Sequence, residues 1–420
     1  MIALLLVSPA WATNYNVDIC AKIAVDFSDA DLANGDDYIR DNHDQPARGA
    51  HLVLYEVSPL PPYTIISTVA DEWALASGTS AGCLSSTQVL SSGKSYRIRI
   101  YSEALVNGQT VEVYDDPDNG TTLTADTGAP WIPLGGGTRT LTTSGDYEVW
   151  NILAAGGYAV WRNDLGNSTG TVTAYSAADG SFYENTYDAV HIWSSGTVAN
   201  YLYKNVIAHE FGHALMHRRY DDPGSDLTAD DTNCPGVYPT DKNGHYFVSS
   251  EFEGGAFWEG FAHYYAAVAF NNDTTETDCS FHTYKPYDFD QDGDDEDAQP
   301  VDCAGNPVID NSPETSPASF TITGADYYGT NCIADGAHNR ATELDWLEFL
   351  WHLDTTGTLA PEDFGTIYAY ARANYTWNET GDGSGTNYPA YDLLSAANAL
   401  HSTTWGAQWA NHDQDYGVNR

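Results

Sequence analysis

In the N-terminal part of the chain, apolar and polar residues alternate within short stretches, and clusters of Gly, Pro and Ser separate these stretches. The alternation is clearest over residues 51–56, 95–101 and 110–114. A period of two residues is typical of half-buried strands, which place their apolar side chains on one face of a sheet. Short strands at this spacing predict an antiparallel β-sandwich over residues 13–120, followed by a linker at 121–140 that contains three consecutive glycines.

From about residue 140 the apolar spacing changes to that of helices, with apolar residues three and four apart over 147–162. Short strands are expected at 171–175 and 189–193, and a longer helix at 198–219. These elements predict a mixed α/β domain over 141–420, so the expected fold class is α+β. We expect further helices, which form a C-terminal lobe, at 254–270, 340–353, 361–373 and 390–400.

Composition adds two constraints to this picture. Hydrophobic residues make up 42% of the 420-residue chain and aromatic residues 13%, which is enough for a sizeable core and excludes a wholly disordered protein. The chain has 16 Lys and Arg against 59 Asp and Glu, a formal net charge of −43. Such a surface repels phosphate backbones and anionic lipids, so we expect no nucleic-acid partner and no membrane partner.

The first residues match a secretory signal. An apolar run at 2–7 leads to Ala-Trp-Ala at 10–12, which fits the small-x-small cleavage pattern, so residues 1–12 are interpreted as a signal peptide. No basic residue precedes the apolar run, which leaves open a signal that begins upstream, or a buried N-terminal strand instead. We therefore expect a secreted protein.

Cysteine usage also indicates an oxidising compartment. The six cysteines are even in number and include no C-x-x-C pair, which favours disulfides over a thiolate metal site. Cys20 and Cys83 both lie in the N-terminal region and are candidates to pair there. Six cysteines allow 15 pairings, so the spacing selects no full connectivity.

The expected helix at 198–219 contains a His-Glu-x-x-His motif at His209, Glu210 and His213. Residues four apart lie on one face of a helix, so the two imidazoles can bind one metal ion. Glu210 points about 100° away around the helix, where it can reach a metal-bound water without being a ligand. Zn²⁺ lowers the pKa of its water to about 7, and a carboxylate then takes the proton. The alternative is a buried polar helix whose histidines have other partners.

A hydrolytic zinc site needs a third protein ligand. The metzincin pattern would place a histidine at position 219, which is Arg219 in this chain. His217 lies about 12 Å along the helix axis from His209, so we expect it to support the site or to be exposed. Glu259 is the one acidic residue in the aromatic run 254–270, and a buried carboxylate needs a partner such as a cation.

Together, these motifs resemble the gluzincin metallopeptidases, the class that includes thermolysin and the zinc aminopeptidases. The run 258–262, Trp-Glu-Gly-Phe-Ala, is similar to the Asn-Glu-Gly-Phe-Ala run of the aminopeptidases. The resemblance covers roughly residues 185–270 and implies a zincin-like catalytic domain. It also implies zinc ligands and a general base, which would be His209, His213 and Glu259 as ligands and Glu210 as the base.

The chain departs from the gluzincin pattern in two places. Trp258 stands where the aminopeptidases have Asn, and a polar insertion at 221–250 separates the two motifs. The Gly-x-Met-Glu-Asn run of the exopeptidases is absent, so the resemblance does not imply aminopeptidase activity.

Several other residues are candidates for supporting roles. His263 lies four residues after Glu259, on the same helix face, and three roles stay open for it: orienting a ligand, contacting zinc as a fourth ligand, or filling the core. The oxyanion of a tetrahedral intermediate needs a donor, commonly Tyr or His. The available donors, among which no pattern selects, are Tyr264, Tyr265, Tyr327 and His338.

A second group of residues is a candidate calcium site. Four carboxylates alternate along the chain with a glycine between the last two, as at the start of an EF-hand loop. Position 12 of the loop would be Gln299 rather than Glu, and no flanking helices are evident, so the alternatives are an isolated Ca²⁺ loop and a solvated acidic loop. The four residues are Asp288, Asp290, Asp292 and Asp294.

We therefore expect a secreted zinc peptidase that hydrolyses a peptide or protein substrate with a zinc-bound water activated by Glu210. The non-enzymatic alternative is a calcium-binding surface or adhesion protein that retains a metal-stapled, protease-like fold. A third alternative treats residues 13–120 as a propeptide. An open fourth coordination position would favour catalysis, and a closed one would favour the structural role.

Overall fold

The computed structural model describes most of the chain up to residue 219 and less of it beyond. The described residues are 12–27, 44–115, 121–163, 171–177, 180–184, 187–194, 199–219, 251–270, 280–282, 300–302, 340–341 and the positions 343, 347, 350, 351, 366, 370, 373, 374 and 399. Within these residues the fold is α+β, with two larger sheets and three long helices.

Strands make up most of the described elements. In chain order they are β1 (Asn14–Ile23), β2 (Gln45–Pro46), β3 (Ala50–Val57), β4 (Ile65–Trp73), β5 (Gln88–Ser91), β6 (Ser95–Val106), β7 (Gln109–Tyr114), β8 (Thr124–Asp126), β9 (Gly137–Thr142), β10 (Thr171–Ala177), β11 (Phe182–Glu184), β12 (Ala189–Trp193), β13 (Glu251–Phe252), β14 (Ser280–His282), β15 (Pro300–Asp302) and β16 (Arg340–Ala341). The strands expected at 51–56, 95–101, 110–114, 171–175 and 189–193 are confirmed.

The smaller of the two main sheets is organised around β1. Strands β2 and β5 pair with β1 in antiparallel orientation, and β9 pairs with it in parallel orientation. Alternate β1 side chains, including Val17, Ile19 and Ala21, are buried. A disulfide joins Cys20 to Cys83, which confirms the pair expected from the sequence.

The larger sheet has eight strands in the order β11-β12-β10-β7-β6-β3-β4, with β8 paired to β6. Strands β7, β10 and β12 are parallel neighbours, while β11 pairs with β12 in antiparallel orientation. This sheet includes strands from both sides of the division expected at residues 121–140. Within that segment, β8 forms and β9 begins. The division into two domains stays a prediction, and the larger sheet contains strands from both sides of the expected boundary.

Helix α1 (Tyr147–Arg162) has the bounds expected from its apolar spacing and lies against β6, β7 and β10. Buried Asn151 connects α1 to two other segments of the chain. Its Oδ1 accepts from the Asp26 N–H at 3.0 Å, and its Nδ2 donates to the carbonyls of Asp26 and Tyr201 at 2.9 and 3.1 Å. The same side chain therefore ties the end of the first strand region to the turn that precedes the next helix.

Helix α2 (Lys204–Arg219) packs against α1, β11 and β12. It begins later than the expected residue 198, because residues 200–202 form a separate 3₁₀ turn and Tyr203 is extended, with φ −117° and ψ 107°. At its C-terminal end, Arg218 binds Asp188 through two nitrogens at 3.0 and 2.6 Å. This ion pair fastens the helix to the loop before β12.

Helix α3 (Glu253–Phe270) confirms the helix expected at 254–270, and its described side chains from Phe257 to Phe270 are buried. The helical positions further along, 343, 347, 350, 351, 366, 370, 373 and 399, fall within the helices expected for the C-terminal lobe. Among the described helices, none combines the length and the apolar composition needed to span a bilayer.

Candidate metal centre

The His-Glu-x-x-His motif lies in the interior of the protein, in the middle of α2. His209, Glu210 and His213 are exposed by only 1%, 2% and 4%. Because His209 and His213 are one helical turn apart, their rings point to the same place, with the two Nε2 atoms 3.1 Å apart. The ligand-type atoms of all three residues lie within 4.8 Å of one another, so this buried group could hold a metal ion.

Glu259 of α3 reaches the same point from the opposite side. Its Oε2 lies 3.0 Å from the Nε2 of His209 and 3.4 Å from the Nε2 of His213. Three possible ligand atoms therefore form a triangle with sides of 3.0, 3.1 and 3.4 Å. In a tetrahedral zinc site with ligand distances of about 2.0–2.1 Å, neighbouring ligand atoms lie about 3.3 Å apart. The triangle has the size of one face of such a tetrahedron.

A glycine allows the two helices to approach closely enough for this contact. Gly212 lies inside the motif and faces α3, and a Cβ at this position would lie 2.9 Å from the Cα of Ala262 and 3.2 Å from the Cβ of Tyr265. On the other side of α2, the ring of Phe211 packs so closely on α1 that a Cβ on Gly156 would lie 2.5 Å from it. Gly212 and Gly156 thus allow α2 to pack closely against both α3 and α1.

Burial determines the protonation of His209. Burial lowers the pKa of His209 to about 3, and the neighbouring His263 and His213 also lower it, while the contact with Glu259 partly opposes the shift. The imidazole is therefore neutral near pH 7 and presents a lone pair, which is the form that binds metals. The donor set of two imidazoles and one carboxylate suits zinc among the common protein metals.

Two further rings pack against the histidines of the cluster. Trp258 stacks on His213 with ring centres 4.7 Å apart and planes 14° apart. His263 packs on the other histidine, with its ring centre 4.3 Å from that of His209. The Nε2 of His263 lies 2.9 Å from the Oε2 of Glu343, which is also buried.

The structure places the remaining candidates in different surroundings. His217 lies beside the Tyr183 ring of β11, with ring centres 5.4 Å apart. Tyr265 is buried in the α2–α3 contact, and its carbonyl accepts from the Nδ2 of Asn163 at the end of α1. Tyr264 is buried as well. Candidates outside the described residues are Tyr327, His338 and the four calcium candidates Asp288, Asp290, Asp292 and Asp294.

Glu343 is a site residue that the sequence analysis did not single out. Its signal was nevertheless present, because positions 343, 347, 350 and 351 follow helical spacing and are all buried. The other three are Leu347, Leu350 and Trp351, so a carboxylate stands on an otherwise apolar stripe. A charged group on such a stripe indicates a buried polar partner in the fold.

Comparison with known proteins adds no assignment. Neither a protein-family model nor a curated protein sequence matches this chain.

Proposed function

We propose that this protein is a secreted, zinc-dependent peptidase of the gluzincin type. The observation that carries the proposal is the triangle formed by the Nε2 atoms of His209 and His213 and the Oε2 of Glu259, with sides of 3.0–3.4 Å in a buried site. Two imidazoles and one carboxylate leave one tetrahedral position for water or substrate, which is the composition of a hydrolytic rather than a structural zinc site.

A zinc ion held by these three residues would supply a water of lowered pKa and would polarise the scissile carbonyl. Glu210 neighbours both histidines within the same buried group, where its carboxylate can take a proton from the attacking water. Glu210 then passes that proton to the nitrogen of the leaving amine, so one carboxylate serves as base and then as acid. Burial lowers the pKa of His209, so its imidazole is neutral near pH 7 and has a lone pair to donate to the metal.

Three further features support the proposal. The motif helix lies against a mixed sheet and meets a second helix that provides the carboxylate, an arrangement that fits a zincin-like domain. The Nε2 of His263 faces Glu343, which favours a supporting role over that of a fourth ligand. The disulfide between Cys20 and Cys83 fits a secreted protein.

The test compares Glu210→Gln with a matched control, Glu184→Gln. Glu184 also pairs with a histidine, since its Oε2 lies 3.2 Å from the Nε2 of His191, but it lies on β11 outside the cluster. Zinc per chain is measured by elemental analysis, and hydrolysis is measured on a peptide library. We expect Glu210→Gln to keep zinc and lose at least about 100-fold in turnover, the lower range of general acid–base contributions. Glu184→Gln should keep both zinc and turnover.

Two results would overturn the proposal. Near-normal turnover of Glu210→Gln would remove the general base from the mechanism. A wild-type protein that takes up no zinc after incubation with the metal would remove the metal centre itself, and the adhesion-protein alternative would then become the leading one.

A further inference from the structure

A second buried pair adjoins the proposed ligands. His263 and Glu343 are 80 residues apart in the chain, and their Nε2 and Oε2 atoms lie 2.9 Å apart. Their side chains are exposed by only 4% and 3%. Moving such a pair from water into the interior carries a desolvation cost, and the contact between the two groups does not always offset it in full. A buried pair of this kind is therefore not explained by stability alone.

The pair contacts the proposed metal cluster through the ring of His263. The Nε2 of His263 lies within hydrogen-bond distance of the Glu343 carboxyl group, and this contact fixes the orientation of the ring. An ionised carboxylate accepts hydrogen bonds only, so in that form Glu343 selects the tautomer of His263 in which Nε2 carries the proton. The His263 ring in turn packs on the His209 ring, with centres 4.3 Å apart and planes at 52°. His263 also follows Glu259 by one turn of α3. His263 therefore connects its own helix, α3, to His209 of α2, and Glu343 contacts the ring that makes this connection.

We propose that Glu343 is a positioning residue for the metal centre and acts through His263. It holds the His263 ring at a fixed tilt, and that ring limits the rotation of His209 and keeps α3 in the position where Glu259 reaches both imidazoles. The inference rests on the proposed metal centre and deepens it, by assigning a role to a residue of the C-terminal helical region. Partners of this kind commonly change metal affinity about 10- to 100-fold.

The competing explanation is that Glu343 only stabilises helix packing. The two explanations differ in what changes. A packing role lowers the stability of the metal-free protein and leaves the geometry of the ligands unchanged. If Glu343 has a positioning role, its replacement lowers metal affinity by more than the loss of stability explains, and it also alters the ligand geometry. Replacing Glu343 then has little further effect in a protein that lacks His263.

The experiment measures zinc affinity by competition with a chelator, and the thermal midpoint Tm of the metal-free protein, for wild type and five variants. Glu343→Leu removes the carboxylate at similar volume, and Glu343→Gln keeps an acceptor atom without the charge. Leu347→Ala, one turn further along the same buried stripe, is the matched control for loosened packing. His263→Gln, alone and combined with Glu343→Leu, shows whether the two residues act as one unit.

We expect zinc affinity to fall about 10- to 100-fold in Glu343→Leu and by a smaller factor in Glu343→Gln. Leu347→Ala should lower Tm and leave affinity close to the wild-type value. In the His263→Gln background, Glu343→Leu should cause little further loss. The visible absorption of the cobalt-loaded protein, which reports ligand geometry, should change in both Glu343 variants and not in Leu347→Ala.

Distinct results overturn distinct claims. A wild-type protein without zinc rejects the proposed function itself. Zinc bound tightly by wild type and equally tightly by Glu343→Gln and Glu343→Leu rejects only the positioning role, as does an equal loss from Glu343→Leu with and without His263. If Glu343→Leu does not fold, Glu343→Gln decides alone, since unchanged affinity and unchanged cobalt absorption in that variant contradict the inference.

Discussion

Gly212 on α2 faces Ala262 on α3 at a distance that leaves no room for a side chain, because a Cβ on the glycine would lie 2.9 Å from the Cα of Ala262. The closeness of this crossing has a chemical consequence. Glu259 lies one turn before Ala262, and its Oε2 reaches the two histidine Nε2 atoms at 3.0 and 3.4 Å only while the helices stay this close. A glycine inside the motif thus determines whether the second helix can contribute a ligand.

Replacing Gly212 with Ala should therefore destabilise the protein, although alanine is normally the better helix former. The new Cβ must push α3 away, and such overpacking costs about 1–3 kcal/mol. We also expect weaker zinc binding. Urea unfolding of the metal-free protein measures the first effect and chelator competition the second.

Gly157→Ala is the matched control for this variant. Gly157 lies in α1, and a Cβ there would lie 3.9 Å from the Cβ of Ala104, an ordinary contact distance. This change should stabilise the protein by about 0.5–1 kcal/mol through helix propensity. If both alanine variants stabilised the protein equally, the close crossing would not limit the structure.

Glu259→Ala should lose zinc, and Glu259→Gln should bind it more weakly than wild type, because the amide lacks the charge of the carboxylate. The loss in Glu259→Ala should exceed the roughly 10- to 100-fold change typical of partners that only support a ligand. Elemental analysis after gel filtration checks the prediction, with Glu184→Gln as the control. Undiminished zinc in Glu259→Ala would exclude Glu259 as a ligand.

The low pKa of His209 predicts a pH dependence for the metal-free protein. The pKa falls from 6.5 in the unfolded chain to about 3 in the fold, mainly through burial. Between these values the unfolded state binds the proton and the folded state does not, so the free energy of unfolding falls as the pH falls below 6.5. This one group should contribute a loss of about 2 kcal/mol between pH 7 and pH 5.

Urea unfolding at pH 7 and pH 5, with a chelator present, measures this effect in wild type and in His209→Gln. The glutamine cannot take up a proton, so the variant should lose less stability on acidification than wild type. The same loss in both proteins would show that His209 does not titrate as its burial indicates.

Asn151 predicts a stability effect far from the metal centre. Its amide makes three hydrogen bonds, to the N–H and carbonyl of Asp26 and to the carbonyl of Tyr201. Asn151→Leu leaves these partly buried backbone groups without the amide, and an unsatisfied buried group costs about 1–3 kcal/mol. Because water can reach some of these groups, we expect a loss of about 1–3 kcal/mol in urea unfolding.

The control for Asn151 is Asn107→Gly. Asn107 also donates to two carbonyls, those of Val160 and Trp161, but one of these bonds is exposed to solvent. Its backbone is left-handed, with φ 48°, and glycine adopts this conformation without strain. Water can replace the amide there, so the loss should be clearly smaller. A loss in Asn151→Leu no larger than that in Asn107→Gly would contradict the structural role of Asn151.

The local elements of this fold were predictable because their signals are local. The apolar spacing of α1 and the alternation of β3, β6 and β7 depend only on neighbouring residues, and the structure confirms them. The start of α2 was predicted too early because Tyr203 adopts an extended conformation between the 3₁₀ turn and the helix. The parallel pairing of β7 with β10, which carries one sheet across the expected domain division, depends on contacts between distant segments and left no signal in either strand.

For the candidate site, the sequence by itself determined that His209 and His213 share a helix face, because a spacing of four residues brings two side chains together in any α-helix. It also indicated Glu259, since a lone carboxylate in a buried helix needs a partner. Only the tertiary structure decided that Glu259 meets those histidines and that Glu343 meets His263, because both contacts depend on how α2, α3 and the C-terminal helical region pack. Helix periodicity is a property of neighbouring residues, whereas the approach of two helices is set by the volumes of all the side chains between them.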